Sequence, residues 1–252
     1  MHGGSVTDRP ATATDAQTGE LDAGPFGAWL AAMRRALRRE ADADVHCGDC
    51  CACCSTSHFV HIGPEERDTL ARVPRELLFP APGMPAGHVL LPYDGRGRCP
   101  LLEEDGRCAI YAHRPLTCRA YDCRVFAAAG LDSDREPITR RARRWQFSCP
   151  APVDAAQLAA VRAAARWIPA HAAAFPGAVV PDDPPALAVL AVRVADVFLP
   201  EGPASAGADD AAIAAAVVRA AAEGGEGGTS GESGPSAPAS PRPADAYRGP
   251  SA

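Results

Sequence analysis

Cys47-Gly-Asp-Cys50-Cys51-Ala-Cys53-Cys54 packs five cysteines into eight residues and decides how the rest of the chain must be read. Ligand-type residues this dense leave no apolar period for a helix or strand, so the stretch reads as a loop. Two residues between thiolates let a tight turn aim both sulfurs at one ion. Neighbouring Cys53 and Cys54 diverge, so one of them is expected to face a second centre or a partner from a later block. A tetrahedral Zn²⁺ takes four such thiolates at about 2.3 Å, and iron–sulfur clusters commonly take four as well.

Working outward, a second block holds Cys99, Cys108, Cys118 and Cys123. Arg98-Cys-Pro-Leu-Leu102 and Arg107-Cys-Ala-Ile-Tyr111 flank Glu103-Glu-Asp-Gly106, and an Asp-Gly pair between apolar runs predicts a hairpin that draws Cys99 and Cys108 together. All ten cysteines fall between positions 47 and 149. Clustering of this kind in a reducing compartment points to metal or redox chemistry rather than to a disulfide framework. Eight motif-spaced thiols divide into two four-cysteine sites, or into one centre plus a redox pair. Cys51 and Cys149 stand outside the pattern.

The residues Cys47-x2-Cys50-x2-Cys53-Cys54, followed by Cys99-Pro-Leu-Leu102, Cys108-Ala-Ile-Tyr111, Arg114-Pro115, Cys118-Arg119-x-Tyr121 and Cys123, resemble the YkgJ-type cysteine-cluster proteins over about residues 45–125. That resemblance implies a zinc- or iron-chelating domain, often labelled iron–sulfur-cluster-containing, with no settled reaction. It implies Cys47, Cys50, Cys53, Cys54, Cys99, Cys108, Cys118 and Cys123 as metal ligands. The chain departs from the family at Cys51, where glycine is frequent, and in a long Ala/Pro-rich C-terminal part.

Several thiolates around one cation leave net negative charge, which nearby guanidinium groups would offset while lowering the proton affinity of sulfur. Arg114 and Arg119 are the candidates for supporting the cofactor in this way, with Arg98, Arg107 and Arg124 close by in sequence. Arg114 is expected to fix its loop by pairing with a backbone group or a carboxylate. His46, His58, His61 and His113 read as satisfied or exposed histidines, with His46 the leading alternative ligand. Tyr111 and Tyr121 read as packing residues, and Asp49 and Asp122 as solvated. The basic run Arg135, Arg140, Arg141, Arg143, Arg144 and Trp145 reads as a solvated helix face rather than a stacking platform for nucleic acid.

A helix is predicted from Pro25 to about Glu40, where Phe26, Leu30, Met33 and Leu37 recur at spacings of three and four. Phe59–Ile62 and Val89–Leu91 read as short strands, and Gly63 opens a helix to about Val73. Beyond Val153, a helix marked by Leu158, Val161, Ala165 and Ile168 is expected to be interrupted at Pro169. Leu187–Phe198 and Asp209–Ala222 are further helical stretches. The expected fold class is α+β: a small irregular metal-stapled core with a short hairpin, an N-terminal helix and a C-terminal helical extension. The divisions are 1–22 without structure, 23–150 as the cysteine-cluster domain, 151–222 as the extension, and 223–252 as a Gly/Ser/Pro-rich tail.

The formal charge of −6 suggests neither nucleic acid nor an anionic membrane as partner. The start lacks the basic and apolar regions of a secretory signal, and the most apolar run, 186–199, is too short to span a bilayer. A cytoplasmic protein is the expectation. No Walker loop, Rossmann fingerprint or Gly-x-Ser-x-Gly elbow is present, and no residue reads as a catalytic nucleophile or base. What remains is an iron–sulfur cluster or iron in redox or metal-handling chemistry, with a redox or protein partner unidentified. The alternative is zinc in a structural interaction module.

Overall fold

The structure is a computed structural model that describes residues 19–43, 45, 50–175, 177 and 180–223. The cysteine-block residues His46, Cys47 and Asp49 and the Gly/Ser/Pro-rich tail from 224 onward lie outside the described residues. The chain has the expected α+β class, with short strands in two small sheets among helices.

Strand β1 (Leu21–Pro25) runs directly into helix α1 (Phe26–Leu37), which buries Phe26, Trp29, Leu30, Met33 and Ala36. That is one stripe of a 3.6-residue period, while Arg34 and Arg35 occupy the last turn, where cations suit the helix C-terminus. Leu21 and Asp22, in the stretch expected to lack structure, are therefore part of a strand. Their order comes from a distant partner: β1 pairs in parallel with β5 (Trp145–Ser148), Leu21 opposite Trp145.

Between those two strands lies the cysteine-bearing chain. Strands β2 (Val60–Ile62), β3 (Phe79–Pro80) and β4 (Val89–Leu91) form an antiparallel sheet in the order β2-β4-β3. Its core is small: Ile62, Val73, Leu91, Leu101 and Ile110. The helix expected from Gly63 is only α2 (Arg67–Leu70), because Glu66 is used otherwise. Its carboxylate accepts the Gly63 N–H at 2.8 Å and the Leu116 N–H, closing a turn and docking α3 (Leu116–Ala120) onto it. The predicted hairpin turn is present, with Leu102 bridging Cys108 and Glu103 N–H donating to Arg107 O at 2.8 Å.

The larger core spans α1, α4 (Arg124–Ala129), α5 (Glu136–Ala142), α6 (Pro152–Ala170), α7 (Pro184–Val194) and α8 (Asp210–Glu223). The helices beyond residue 150 thus share one core with α1 and α4. Ala160, Ala164, Ala165, Ala188 and Ala191 are all buried there, and their small side chains let helix backbones approach closely. Pro169 does not interrupt α6. It falls one residue from the helix end, where the last turn is closed by His171 N–H donating to Trp167 O at 3.0 Å. At the other end of α6, buried Asp154 accepts from Ala151 N–H at 2.9 Å and from Gly27 N–H at 3.0 Å, tying α6 to the start of α1.

Candidate metal centre

Residues from both cysteine blocks line one cavity of about 40 Å³: Cys50, Cys53, Cys54 and Cys123, with Tyr121, Arg141 and Trp145 among its other walls. The first three come from the loop ending in the short 3₁₀ turn Cys53–Ser55, pinned by Thr56 Oγ1 donating to Cys53 O at 3.0 Å. Cys123 sits at the N-terminal edge of α4 and is buried against the larger core. Among the described residues, no three Cys, His, Asp or Glu side chains are already drawn together as a ligand group; the cavity thiols border a common space instead.

Electrostatics show what that space suits. Burial pushes the Cys123 thiol up to about 11, opposed by the indole of Trp145, whose Nε1–H donates to Sγ at 3.3 Å, while Asp122 and Cys50 push it further up. Burial raises the Tyr121 hydroxyl above the usual phenol range, and Cys53 and Cys123 add to the rise. Burial and Asp122 disfavour the Cys123 thiolate, Arg141 opposes them in part, and a bound metal cation would favour it. The donor set therefore fits a thiophilic metal: Cys50, Cys53, Cys54 and Cys123 would hold it, and it would supply Lewis-acid or electron-transfer chemistry.

Two expectations about the surroundings are corrected. Asp122 is buried rather than solvated: Trp29 Nε1–H donates to its Oδ2 at 2.8 Å, and Arg124 pairs with it at 2.9 Å. The basic run is not uniformly a solvated face either. Arg140 and Arg143 are exposed and pair with Glu136 and Asp132, but Arg141 is buried beside the cavity, its guanidinium 5.3 Å from the Trp145 ring centre. Arg124 lies 5.8 Å from the same ring. Trp145 was the missed site residue, and a lone tryptophan closing an arginine run was the signal that could have marked it.

The other thiols are placed differently. Cys99 and Cys108 are brought together by the hairpin and pack on the smaller core. Burial is the main cause of a raised Cys99 thiol, with Cys108 adding to it. Cys99 N–H donates to Cys54 O at 2.7 Å, so the two blocks touch through backbone. Cys118 is half-buried on α3, Cys51 is half-buried beside the cavity loop, and Cys149 is exposed just after β5.

Arg114 and Arg119 brace the scaffold. Arg114 Nε–H donates to Tyr111 O at 3.1 Å and its guanidinium covers the Tyr111 ring at 3.9 Å. Arg119 donates to Arg114 O at 3.0 Å and pairs with Asp42, while Ala43 N–H donates to Arg119 O at 2.9 Å. His58, His61 and His113 are not among the cavity's lining residues.

Residues 46–136 match a family model, CxxCxxCC, described as a "putative zinc- or iron-chelating domain". This segment is similar to that cysteine-cluster family. The match ends at Glu136, the first residue of α5, so Arg141, Trp145 and Trp29 lie outside it although two of them wall the cavity. No curated protein and no solved structure matches the chain. Among the described residues no helix is long and apolar enough to cross a membrane.

Proposed function

We propose that the chain holds an iron–sulfur cluster or iron through Cys47, Cys50, Cys53, Cys54, Cys99, Cys108, Cys118 and Cys123, and uses it in redox or metal-handling chemistry in the cytoplasm. The observation that supports this reading is the shared cavity, which Cys50, Cys53 and Cys54 of the first block line together with Cys123 of the second. An indole N–H on the Cys123 sulfur and two guanidinium groups around that indole are the protein's usual levers on a cluster's potential.

A second reading, zinc in a structural interaction module, is favoured by the Cys99–Cys108 pair, which sits where one ion would staple a hairpin to a very small core. Metal and acid-labile sulfide analysis of protein purified without oxygen, with its absorption spectrum, separates the two. Brown protein with iron and sulfide in comparable amounts supports the cluster. Iron without sulfide leaves a bare iron site, and colourless protein with stoichiometric zinc overturns the iron reading.

A further inference from the structure

A second cavity, of about 440 Å³, has no cysteine among its lining residues. Its size falls within the range of small-molecule sites, roughly 300–1,000 Å³. Helix α6 supplies Arg166 and Trp167, the turn after it supplies His171, and Phe198, Ser205 and Ile213 complete the walls that matter here.

The lining is chemically specific. Trp167 already takes a flat partner: the His171 ring lies parallel to it, 4.3 Å between centres at 9°. His171 is held there by its Nδ1, 2.9 Å from Trp167 O, while Nε2 faces Asp210 at 3.8 Å. Phe198 stands 5.9 Å from Trp167 at 56°, so the two rings give an aromatic wall with two orientations. Arg166 lines the same space and has neither a hydrogen-bond nor an ion-pair partner among the described residues. A guanidinium presents its N–H groups as a planar fork that matches a carboxylate bidentately.

We infer that this cleft binds a small planar aromatic carboxylate, its ring against Trp167 and Phe198 and its carboxylate on Arg166. Asp210, by His171, sets the polarity by repelling the anionic end from that side. The site is separate from the cysteine cavity and does not depend on what metal the cysteines hold.

The test uses the full chain and 2-naphthoate as probe, followed by titration calorimetry and by quenching of tryptophan fluorescence. Saturable binding with a dissociation constant below about 1 mM is expected for a ligand of this size. The neutral analogue 2-naphthalenemethanol should bind at least about tenfold more weakly, as loss of a charge-assisted contact requires. Arg166→Gln should weaken 2-naphthoate by a similar factor while Arg166→Lys retains part of it. Because Arg166 is exposed, neither change threatens the fold, which circular dichroism checks. No saturation, equal binding of acid and alcohol, or indifference to Arg166→Gln overturns the inference.

Discussion

Trp145 donates its indole N–H to Cys123 Sγ across 3.3 Å, joining strand β5 to the cysteine cavity from outside the cysteine-cluster segment. Such outer hydrogen bonds to a metal ligand typically matter by about 10–100-fold in affinity. Trp145→Phe keeps the ring and removes the donor. It is expected to leave the fold intact and to weaken metal retention by roughly tenfold or more in a chelator competition; retention equal to the parent would remove Trp145 from the site.

The thiols themselves give a sharper contrast. Cys53 lines the cavity and Cys118 rides on α3, whereas Cys149 is exposed beyond β5. Cys53→Ser and Cys118→Ser should lose metal and Cys149→Ser should keep it, read by elemental analysis of purified protein. The reverse pattern would overturn the ligand assignment.

Buried Asp122 gathers the Trp29 indole N–H, the Arg124 backbone N–H and the Arg124 guanidinium. Removing its carboxylate takes a buried counter-charge from Arg124 and leaves the Trp29 indole without its acceptor. Asp122→Ala is expected to cost about 3–5 kcal/mol in urea unfolding, and Asp122→Asn, which still accepts from Trp29, should cost less. A loss below about 1 kcal/mol for the alanine variant would mean solvent replaces these partners freely.

Helix α1 starts against α6 at a single glycine. A Cβ on Gly27 would lie 2.5 Å from Asp154 Oδ1, the atom that accepts the Gly27 N–H. Gly27→Ala should destabilise by about 1–3 kcal/mol through this overpacking, whereas Gly95→Ala, with nothing within 4 Å of its Cβ, should be close to neutral. Equal midpoints for the two variants in thermal unfolding would contradict the contact.

Two histidines make stability pH-dependent. Burial lowers the pKa of His58, and Arg135 lowers it further; burial and then His88, whose Nδ1 is 2.9 Å from Nε2, lower that of His61. Both are harder to protonate folded than unfolded, so below the unfolded value of about 6.5 the unfolded chain binds more protons. Their contribution is therefore present above that pH and lost as the pH falls toward the folded values. The urea midpoint should fall between about pH 7 and pH 5, and His58→Gln should flatten part of that slope; an unchanged slope would show that His58 does not contribute.

Local pattern carried much of the fold. The stripe of Phe26, Leu30 and Met33 marked α1, the apolar runs at 60–62 and 89–91 marked β2 and β4, and Asp105-Gly106 marked the hairpin turn. Two features were hidden because their cause is not local. β1 exists only where it meets β5, and nothing in Leu21–Pro25 names Trp145 as its neighbour. Asp122 and Arg141 are charged residues whose burial depends on Trp29 and Trp145 arriving from other elements. The cysteine spacing identified the ligand-type residues, but it held no information about the tryptophan that touches Cys123.

The hydrogen bond from Ala43 N–H to Arg119 O closes a neck: the chain leaves the helical body at one point and returns beside it. Cys50, Cys53, Cys54, Cys99, Cys108 and Cys118 all belong to that excursion, with Cys53 packed against the body's core, whereas Cys123 and Trp145 follow the return. A centre shared by Cys50, Cys53, Cys54 and Cys123 would then act as a latch across the neck, and the load it bears would be the docking of the excursion on the helical body. Grafting the excursion onto another helical scaffold would carry six of these thiols and leave the latch behind.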